Sequence, residues 1–521
     1  MNRMNEEQEL PQGWVSVSLG QILDIRSGFA FKSTEYSTSG IPILRISNIV
    51  KGKISFEQDA VYWGKIVDDS LQSFLVKKGD TLLAMSGATT GKIGVYEHDS
   101  PALLNQRVAR LRPIIKDEAI QKYSRLFLSG ISDEILANAY GAAQPNISSS
   151  ELGAFTFPLP PLPEQRRIAA KLEELFSKLD AGVAAVRRTQ ALLKRYRQSV
   201  LHAAVTGELT RAWREAHPPA PAETGAALLQ RIRAERRAQW EAAQVAKRGG
   251  QLPLGEGWKA KYAEPEAVNT AGLPELPAGW TWGSFSELGS WTGGGTPSKS
   301  NPDFWTNADV LWISPKDMKS ARLSDSEDKI SAIAVEQSSA KMISAPSLLF
   351  VVRSGILRRI LPVALLEKEA TVNQDVRALT PFMPELSSFL LAAAQGLNDD
   401  IRTSCMKGGT TVESIEVPLL QNYQIPLPPL AEQAEIVAEV ERRLTVLDAL
   451  SQTLADELRR AERLRQSILH RAFTGRLVPQ DATDEPATAL LARLRATPAA
   501  PAKAKTGRGR KAAAQQVTLG L

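Results

Sequence analysis

The sequence predicts an α+β protein in which two mixed, strand-rich domains are separated by two long antiparallel coiled-coil helices, with a pseudo-twofold internal repeat. The repeat is visible at residues 158–165 (PLPPLPEQ), which recur at residues 426–433 as PLPPLAEQ. Before each copy, short apolar runs alternate with Gly, Ser and Asn, as is typical of strands joined by turns. After each copy, apolar residues recur every seven positions, which indicates a long helix with a narrow apolar seam.

The repeat sets the predicted domain boundaries. The strand-rich domains are residues 1–157 and 276–425, and each begins near a similar motif, LPQGW or LPAGW. The helical regions are residues 158–215 and 426–496. Residues 216–275 form a connector with a charged helix around residues 232–245 and a Gly-rich stretch, and residues 497–521 form a disordered basic tail.

Each helical region is predicted to contain one long helix of about 41 residues, or roughly 60 Å. Prolines stiffen the entry to each helix, and Glu164 or Glu432 lies in the first turn, where the helix dipole favours an acid. Thr-Gly follows each helix, at residues 206–207 and 474–475, where a left-handed glycine ends a helix.

Two seams of similar length in one chain predict that the two helices pair with each other. Tyr196, Leu450 and Leu464 are expected to flank the seam. The predicted pairing residues are Ile168, Leu172, Leu179, Val186, Leu193, Val200, Ile436, Val440, Leu447, Leu454 and Ile468.

Composition excludes several classes of protein. With 43% hydrophobic and 23% charged residues, the chain is neither disordered as a whole nor a membrane protein. The single cysteine, Cys405, rules out an internal disulfide and a Cys-rich zinc site, and the four histidines lack metal-binding spacing. No secretory signal or long apolar run is present, so we expect a cytoplasmic protein without a membrane segment. No catalytic motif is complete, so we predict no catalytic residue and no metal site.

The turn-rich segments of both strand-rich domains carry side chains suited to DNA. Arg and Lys donate to guanine edges and phosphates, and Asn and Gln make paired hydrogen bonds with adenine. For each residue, an ordinary surface or turn-capping role is the alternative. The candidates in the first domain are Arg26, Lys32, Arg45, Asn48, Thr89, Thr90, Lys92, Asn105, Gln106 and Arg107. Those in the second domain are Thr296, Ser298, Lys299, Lys316, Arg353, Arg358, Arg359, Asn373 and Gln374.

These motifs together resemble the specificity subunit of type I restriction-modification enzymes. The resemblance covers nearly the whole chain. It is carried by the LPQGW and LPAGW motifs, SGFAFKS and GGTPSKS, the GAAQPNIS segment at residues 141–148, the PLPP helices, and the endings SVLHAAVTGEL and SILHRAFTGRL. The second repeat departs from the first at residues 409–415, where the Gln-Pro-Asn portion is missing.

The resemblance implies two target-recognition domains, each reading one half of a split, asymmetric sequence in double-stranded DNA. The paired helices would fix the spacer and dock two modification subunits, which bring S-adenosylmethionine. Restriction subunits would bring ATP and Mg. The chain itself would then be a non-catalytic specificity subunit that binds no cofactor.

Two other classes of function remain as alternatives. One is a non-DNA coiled-coil scaffold protein with two β-rich interaction domains. The other is an enzyme whose catalytic residues are dispersed along the chain. Sequence-selective DNA binding separates the recognition subunit from the scaffold.

Overall fold

The computed structural model describes residues 9–140, 145–251, 255, 257–266, 268–408 and 412–496. The structure divides into two compact units. Unit 1 comprises Met1–Val186 and Asp456–Leu521, and unit 2 comprises Arg187–Ala455. The predicted basic tail, residues 497–521, and the first half of the GAAQPNIS segment, residues 141–144, lie outside the described residues. Each unit therefore combines segments from both sequence repeats.

The first strand-rich domain consists of short strands and four helices. Its strands are β1 (Val15–Ser18), β2 (Leu23–Ser27), β3 (Tyr36–Ser37), β4 (Ile41–Leu44), β5 (Ile49–Val50), β6 (Lys53–Ile54), β7 (Tyr62–Trp63), β8 (Leu75–Val76), β9 (Thr81–Ala84), β10 (Ile93–Val95), β11 (Ala102–Leu104), β12 (Val108–Pro113) and β13 (Thr156–Leu159). Its helices are α1 (Asp69–Gln72), α2 (Glu118–Gly130), α3 (Ser132–Ala139) and α4 (Ser149–Gly153). The sheets have the strand orders β2-β12-β9-β10-β6-β5 and β3-β7-β4-β11-β8, and β1 pairs antiparallel with β13.

The first long helix and the connector follow. They contain α5 (Leu162–Val205), α6 (Arg211–Ala216) and α7 (Gly225–Ala246). The helix predicted around residues 232–245 begins earlier, at Gly225, because the Thr224 side chain caps it by accepting a hydrogen bond from the Ala227 amide. Leu228, Leu229 and Ile232 on α7 are buried in the core of unit 2.

The second strand-rich domain has the same plan as the first. Its strands are β14 (Thr281–Ser284), β15 (Gly289–Gly293), β16 (Val310–Ile313), β17 (Arg322–Leu323), β18 (Asp328–Ile330), β19 (Ser347–Val351), β20 (Val363–Leu366), β21 (Thr371–Val372), β22 (Val376–Pro381) and β23 (Gln424–Leu427). Its helices are α8 (Phe285–Leu288), α9 (Ala332–Gln337), α10 (Ser387–Gly396), α11 (Asn398–Ser404) and α12 (Val417–Gln421). The sheets have the orders β15-β22-β19-β20-β17 and β18-β16-β21, and β14 pairs antiparallel with β23.

The chain continues into α13 (Leu430–Phe473) and α14 (Ala487–Ala496). Both long helices have 44 residues, close to the predicted length. Gly207 and Gly475, which follow them, have φ values of +75° and +69°, so the predicted left-handed glycines are confirmed. Across the described residues, we find no helix that is both long and apolar enough to cross a membrane.

Segments of α5 and α13 pack together in each unit. In unit 1, Asp180 forms an ion pair with Arg465, while Ile168 shares a hydrophobic cluster with Phe473. In unit 2, Arg197 forms an ion pair with Asp448, and Val205 and Ile436 belong to one hydrophobic cluster. The ion pair lies nearer the middle of both helices than the clustered residues do. In both units the numbering of one helix rises as that of its partner falls, so the predicted antiparallel pairing is confirmed.

The seam residues differ in burial along the helices. Most of those near the helix ends are buried, together with Leu447, whereas Ile468 and those nearer the middle are half-buried. Tyr196, Leu450 and Leu464, predicted to flank the seam, are instead exposed. A pair of helices buries only a narrow stripe, so apolar side chains beside that stripe stay in solvent unless another element covers them. The buried seam residues are Ile168, Leu172, Val200, Ile436, Val440 and Leu447, and the half-buried ones are Leu179, Val186, Leu193, Leu454 and Ile468.

Candidate nucleic-acid interface

The two motifs that define the repeat meet in the fold of each unit. In unit 1, Trp14 of LPQGW donates its indole N–H to the buried Glu164 of PLPPLPEQ at 2.9 Å. In unit 2, Trp280 donates to the buried Glu432 at 2.8 Å. Each strand-rich domain is therefore anchored to the first turn of the long helix that follows it. The position of the glutamates in the first helical turn predicted an interaction with the helix dipole, but no local pattern in the sequence predicted this contact with tryptophan.

The two anchors differ in their remaining partners. The second oxygen of Glu164 accepts from the Gln480 amide at 2.7 Å, and burial raises the pKa of Glu164. Glu432 instead accepts from the Arg214 guanidinium at 2.6 Å and from the Thr210 hydroxyl at 2.8 Å. One anchor is therefore an acid held by neutral donors, and the other contains a buried ion pair.

In unit 1, backbone hydrogen bonds bring four loops together beside the sheets. The loop after β2 meets the end of β11, because the Phe29 amide donates to the Leu104 carbonyl at 2.8 Å. The loop after β9 meets residues 145–147, because the Gly87 amide donates to the Pro145 carbonyl at 2.9 Å. The turn at residues 105–108 joins both, because the Gln106 amide donates to the Phe29 carbonyl at 2.9 Å and the Met85 amide, directly after β9, donates to the Arg107 carbonyl at 2.9 Å. We call these segments the loop cluster of unit 1.

Unit 2 has a matching loop cluster at residues 293–296, 352–354, 373–376 and 413–415. The Gly295 amide donates to the Val372 carbonyl at 3.0 Å, and the Ile415 amide donates to the Val352 carbonyl at 2.8 Å. An added Cβ at Gly294 would lie 2.0 Å from the Val372 oxygen, and one at Gly28 in unit 1 would lie 2.0 Å from the Leu104 oxygen. Only glycine permits this close approach of two backbones.

At the centre of each cluster lies a turn that we call the Asn-Gln turn, residues 105–108 in unit 1 and 373–376 in unit 2. The side-chain oxygen of Asn105 accepts from the Arg107 amide at 3.2 Å, and that of Asn373 accepts from the Asp375 amide at 3.0 Å. Both asparagines are buried and their side chains cap the turn, which was the alternative to a DNA contact for these residues. The glutamines that follow them are exposed.

Several other predicted DNA-binding residues are also placed at or beside the clusters. Gln106, Arg107 and Arg353 are exposed, and their side chains have no hydrogen-bond or ion-pair partner in the described part of the chain. The Thr296 hydroxyl forms a hydrogen bond with Gln374. Of the remaining candidates, Arg26 and Thr89 are half-buried, and the exposed ones are Lys32, Lys92, Ser298, Lys299 and Arg359.

Other predicted residues have partners within the protein. Asn48 is buried and accepts from the Arg45 amide at 2.8 Å, and Arg45 itself donates to the Asp59 carbonyl. Thr90 is buried and donates to the Gly87 carbonyl at 2.8 Å.

Two cations of the second domain are held by acids. Arg358 pairs with Glu413 at 2.5 Å, and this hydrogen bond lowers the pKa of Glu413. Lys316 pairs with Asp328 at 2.7 Å, which raises the pKa of Lys316. A cation with an internal partner gains less from DNA than an unpaired one, so Arg107 and Arg353 are the stronger candidates.

The fold and this site define a class of protein: one that carries two copies of a strand-rich domain, each with the same loop cluster and each anchored to its own long helix. The family model described as "Type I restriction modification DNA specificity domain" matches residues 11–184 and 277–460, well over half of the sequence. The chain belongs to this family of specificity proteins, and the resemblance found in the sequence is confirmed.

Two relatives that are named type I restriction enzyme specificity subunits align with different shares of the chain. The EcoR124I/EcoR124II specificity subunit of Escherichia coli is 40% identical over 185 residues, which is 36% of this chain and 45% of that relative. The EcoBI specificity subunit of Escherichia coli is 25% identical over 516 residues, or 95% of this chain and 94% of the relative. These relatives are specificity subunits, a non-catalytic class, in agreement with the expected role.

A solved structure shares the fold. A chain from work on complex assembly and conformational transition of the type I R-M system superimposes with a TM-score of 0.61 at 21% sequence identity. The match covers 90% of this chain and 100% of that chain. The predicted fold class is therefore confirmed.

Proposed function

We propose that this chain is the sequence-specific DNA-recognition subunit of a type I restriction-modification complex, in which each strand-rich domain reads one half of a bipartite, asymmetric target. The target-recognition domains are residues 1–157 and 276–425. The observation that carries the proposal is the duplicated loop cluster, which holds different exposed side chains on matched backbone. A shared frame with different side chains is suited to reading two different half-sites.

The paired helices are proposed to fix the spacer between the half-sites. A 44-residue helix is about 66 Å long, which exceeds the roughly 34 Å that separate half-sites one DNA turn apart. The spacer is then set by the helices and not read by any side chain.

The helical region is also the proposed docking site for two modification subunits. In unit 2, Leu192 and Tyr196 on α5 are exposed by 60% and 48%, and Val446 and Leu450 on α13 by 53% and 46%. Exposed apolar side chains at this density are typical of an interface. The Arg197–Asp448 ion pair joins α5 to α13 within this stretch, so both apolar pairs belong to one part of the helical region.

Partner subunits are proposed to bring the chemistry. Modification subunits bind S-adenosylmethionine, and restriction subunits bind ATP and Mg. The chain itself supplies recognition in the cytoplasm and holds none of these cofactors. Family membership disfavours the scaffold alternative, because members of this family are described as DNA specificity domains.

Methylated-base sequencing tests the proposal. The chain is expressed with its modification subunits in a host that lacks other methyltransferases, and the methylated sites are mapped across the genome. We expect one bipartite motif with two defined half-sites and a spacer of fixed length. Methylation without such a motif, or a single continuous motif, would contradict the proposal.

A further inference from the structure

The two Asn-Gln turns share a backbone but carry opposite charges at the same position. Arg107 follows Gln106 in unit 1, and Asp375 follows Gln374 in unit 2. The Met85 amide donates to the Arg107 carbonyl at 2.9 Å, and the Val352 amide donates to the Asp375 carbonyl at 2.8 Å. With the asparagine caps described above, these bonds place both side chains at matched points of the turn.

The Asp375 carboxylate does not pair with a cation in the described part of the protein. Its Oδ2 atom accepts two long hydrogen bonds of 3.4 Å, one from the side-chain amide of Asn373 and one from the side-chain amide of Gln374. Arg377 lies close by but donates to backbone oxygens, those of Gln374 at 3.2 Å and Val376 at 3.3 Å. Within the described residues, no Lys or Arg forms an ion pair with this carboxylate, which is half-buried at the edge of the turn.

A carboxylate in a DNA-binding surface is repelled by phosphates, so its useful position is beside a base that presents a donor. In the major groove the cytosine N4 amine is such a donor, and Asp or Glu accepts from it, whereas Arg donates to guanine O6 and N7. We propose that Asp375 is a specificity-determining residue, which accepts a hydrogen bond from a cytosine amine in the half-site read by unit 2. Arg107 donates to a guanine from the matched position in unit 1. This inference rests on the proposed function.

The test uses the full chain in complex with its modification subunits and duplex DNA that carries its methylation target. Each base pair of the target is replaced in turn, and competition binding gives the preference at that pair. The wild type is expected to prefer one C·G pair in the unit 2 half-site by about 5- to 150-fold. In Asp375→Asn, this preference falls below about threefold, while those at the other positions are unchanged.

The control is Asp399→Asn on α11, an acid whose side chain is 70% exposed and which should leave every preference as in the wild type. A second variant, Asp375→Ala, removes the acceptor without adding an amide and is expected to lose the same preference. If either folded Asp375 variant keeps all wild-type preferences, the assignment of Asp375 is overturned and the proposed function stands. If the wild-type complex binds every duplex equally, the proposed function fails and the assignment fails with it.

Discussion

Two buried glutamates show how the same residue acts differently in the two repeats. Glu164 and Glu432 occupy equivalent places and both accept from a tryptophan, but within the described residues only Glu432 forms an ion pair, with Arg214, whereas Arg167 near Glu164 pairs with Asp484. Removing one member of a buried ion pair leaves an uncompensated charge, at a cost of about 3–5 kcal/mol. Glu164 has no such partner among its hydrogen-bond donors, so removing its charge should cost less.

Glu432→Gln is expected to destabilise unit 2 by about 3 kcal/mol at neutral pH, because the Arg214 guanidinium, 13% exposed, loses its counter-charge. Hydrogen exchange of the β14 amides measures the effect locally. Glu164→Gln is the matched control. Hydrogen exchange of the β1 amides should show a smaller loss of stability in this variant. Equal losses at the two sites would contradict the distinction between the anchors.

The contribution of Glu164 to folding stability should depend on pH because burial raises the pKa of its carboxyl group. Burial favours the protonated carboxyl, so its contribution to stability is present below the unfolded pKa, near 4.5, and is lost as the pH rises through the folded pKa. The stability advantage of the wild type over Glu164→Gln should therefore shrink as the pH is raised from 4 towards 7. Thermal melting of both proteins across this range tests it, and an advantage that grows with pH would refute the assignment.

At the scale of single elements, the long helices were the most predictable part of the fold. The seven-residue period is a local signal, so the helices and their terminal glycines could be predicted. The sequence could not predict that Tyr196, Leu450 and Leu464 are exposed, because periodicity marks apolar positions but does not show which of them a neighbouring element covers. The start of α7 was predicted too late, near residue 232, because Thr224 is a cap signal of a single residue.

The exposed apolar pairs on α5 and α13 give a prediction for these elements. The double variant Leu192→Ser and Tyr196→Ser should lower the affinity for modification subunits about tenfold or more, because apolar contacts at the centre of an interface carry most of its energy. Co-purification and calorimetric titration measure the affinity. Ile333→Ser, which alters an exposed apolar residue on α9, is the control and should bind normally. Unchanged affinity in the double variant would place the docking surface elsewhere.

For the whole molecule, the structural units differ from the sequence repeats. Each unit takes the N-terminal part of one long helix and the C-terminal part of the other, as the antiparallel pairing requires. The repeat and the two helices could be predicted because both produce regular recurrences in the sequence. Contacts between distant residues, such as Trp14 with Glu164, and the order of strands in the sheets depend on non-local pairing, which leaves no periodic signal. The loop clusters belong to the same category. Asp375 was missed for a different reason, because the candidates were chosen among basic, amide and hydroxyl side chains, and an acid next to Gln374 was not among them.

Exchange of residues 276–425 for the corresponding domain of another specificity protein tests the duplicated-reader claim most directly. The chimera is expressed with the same modification subunits, and its methylated sites are sequenced. The half-site read by the first domain and the spacer length should be unchanged, while the other half-site should become that of the donor protein. A change in both half-sites, or in neither, would contradict the assignment of one half-site to each domain.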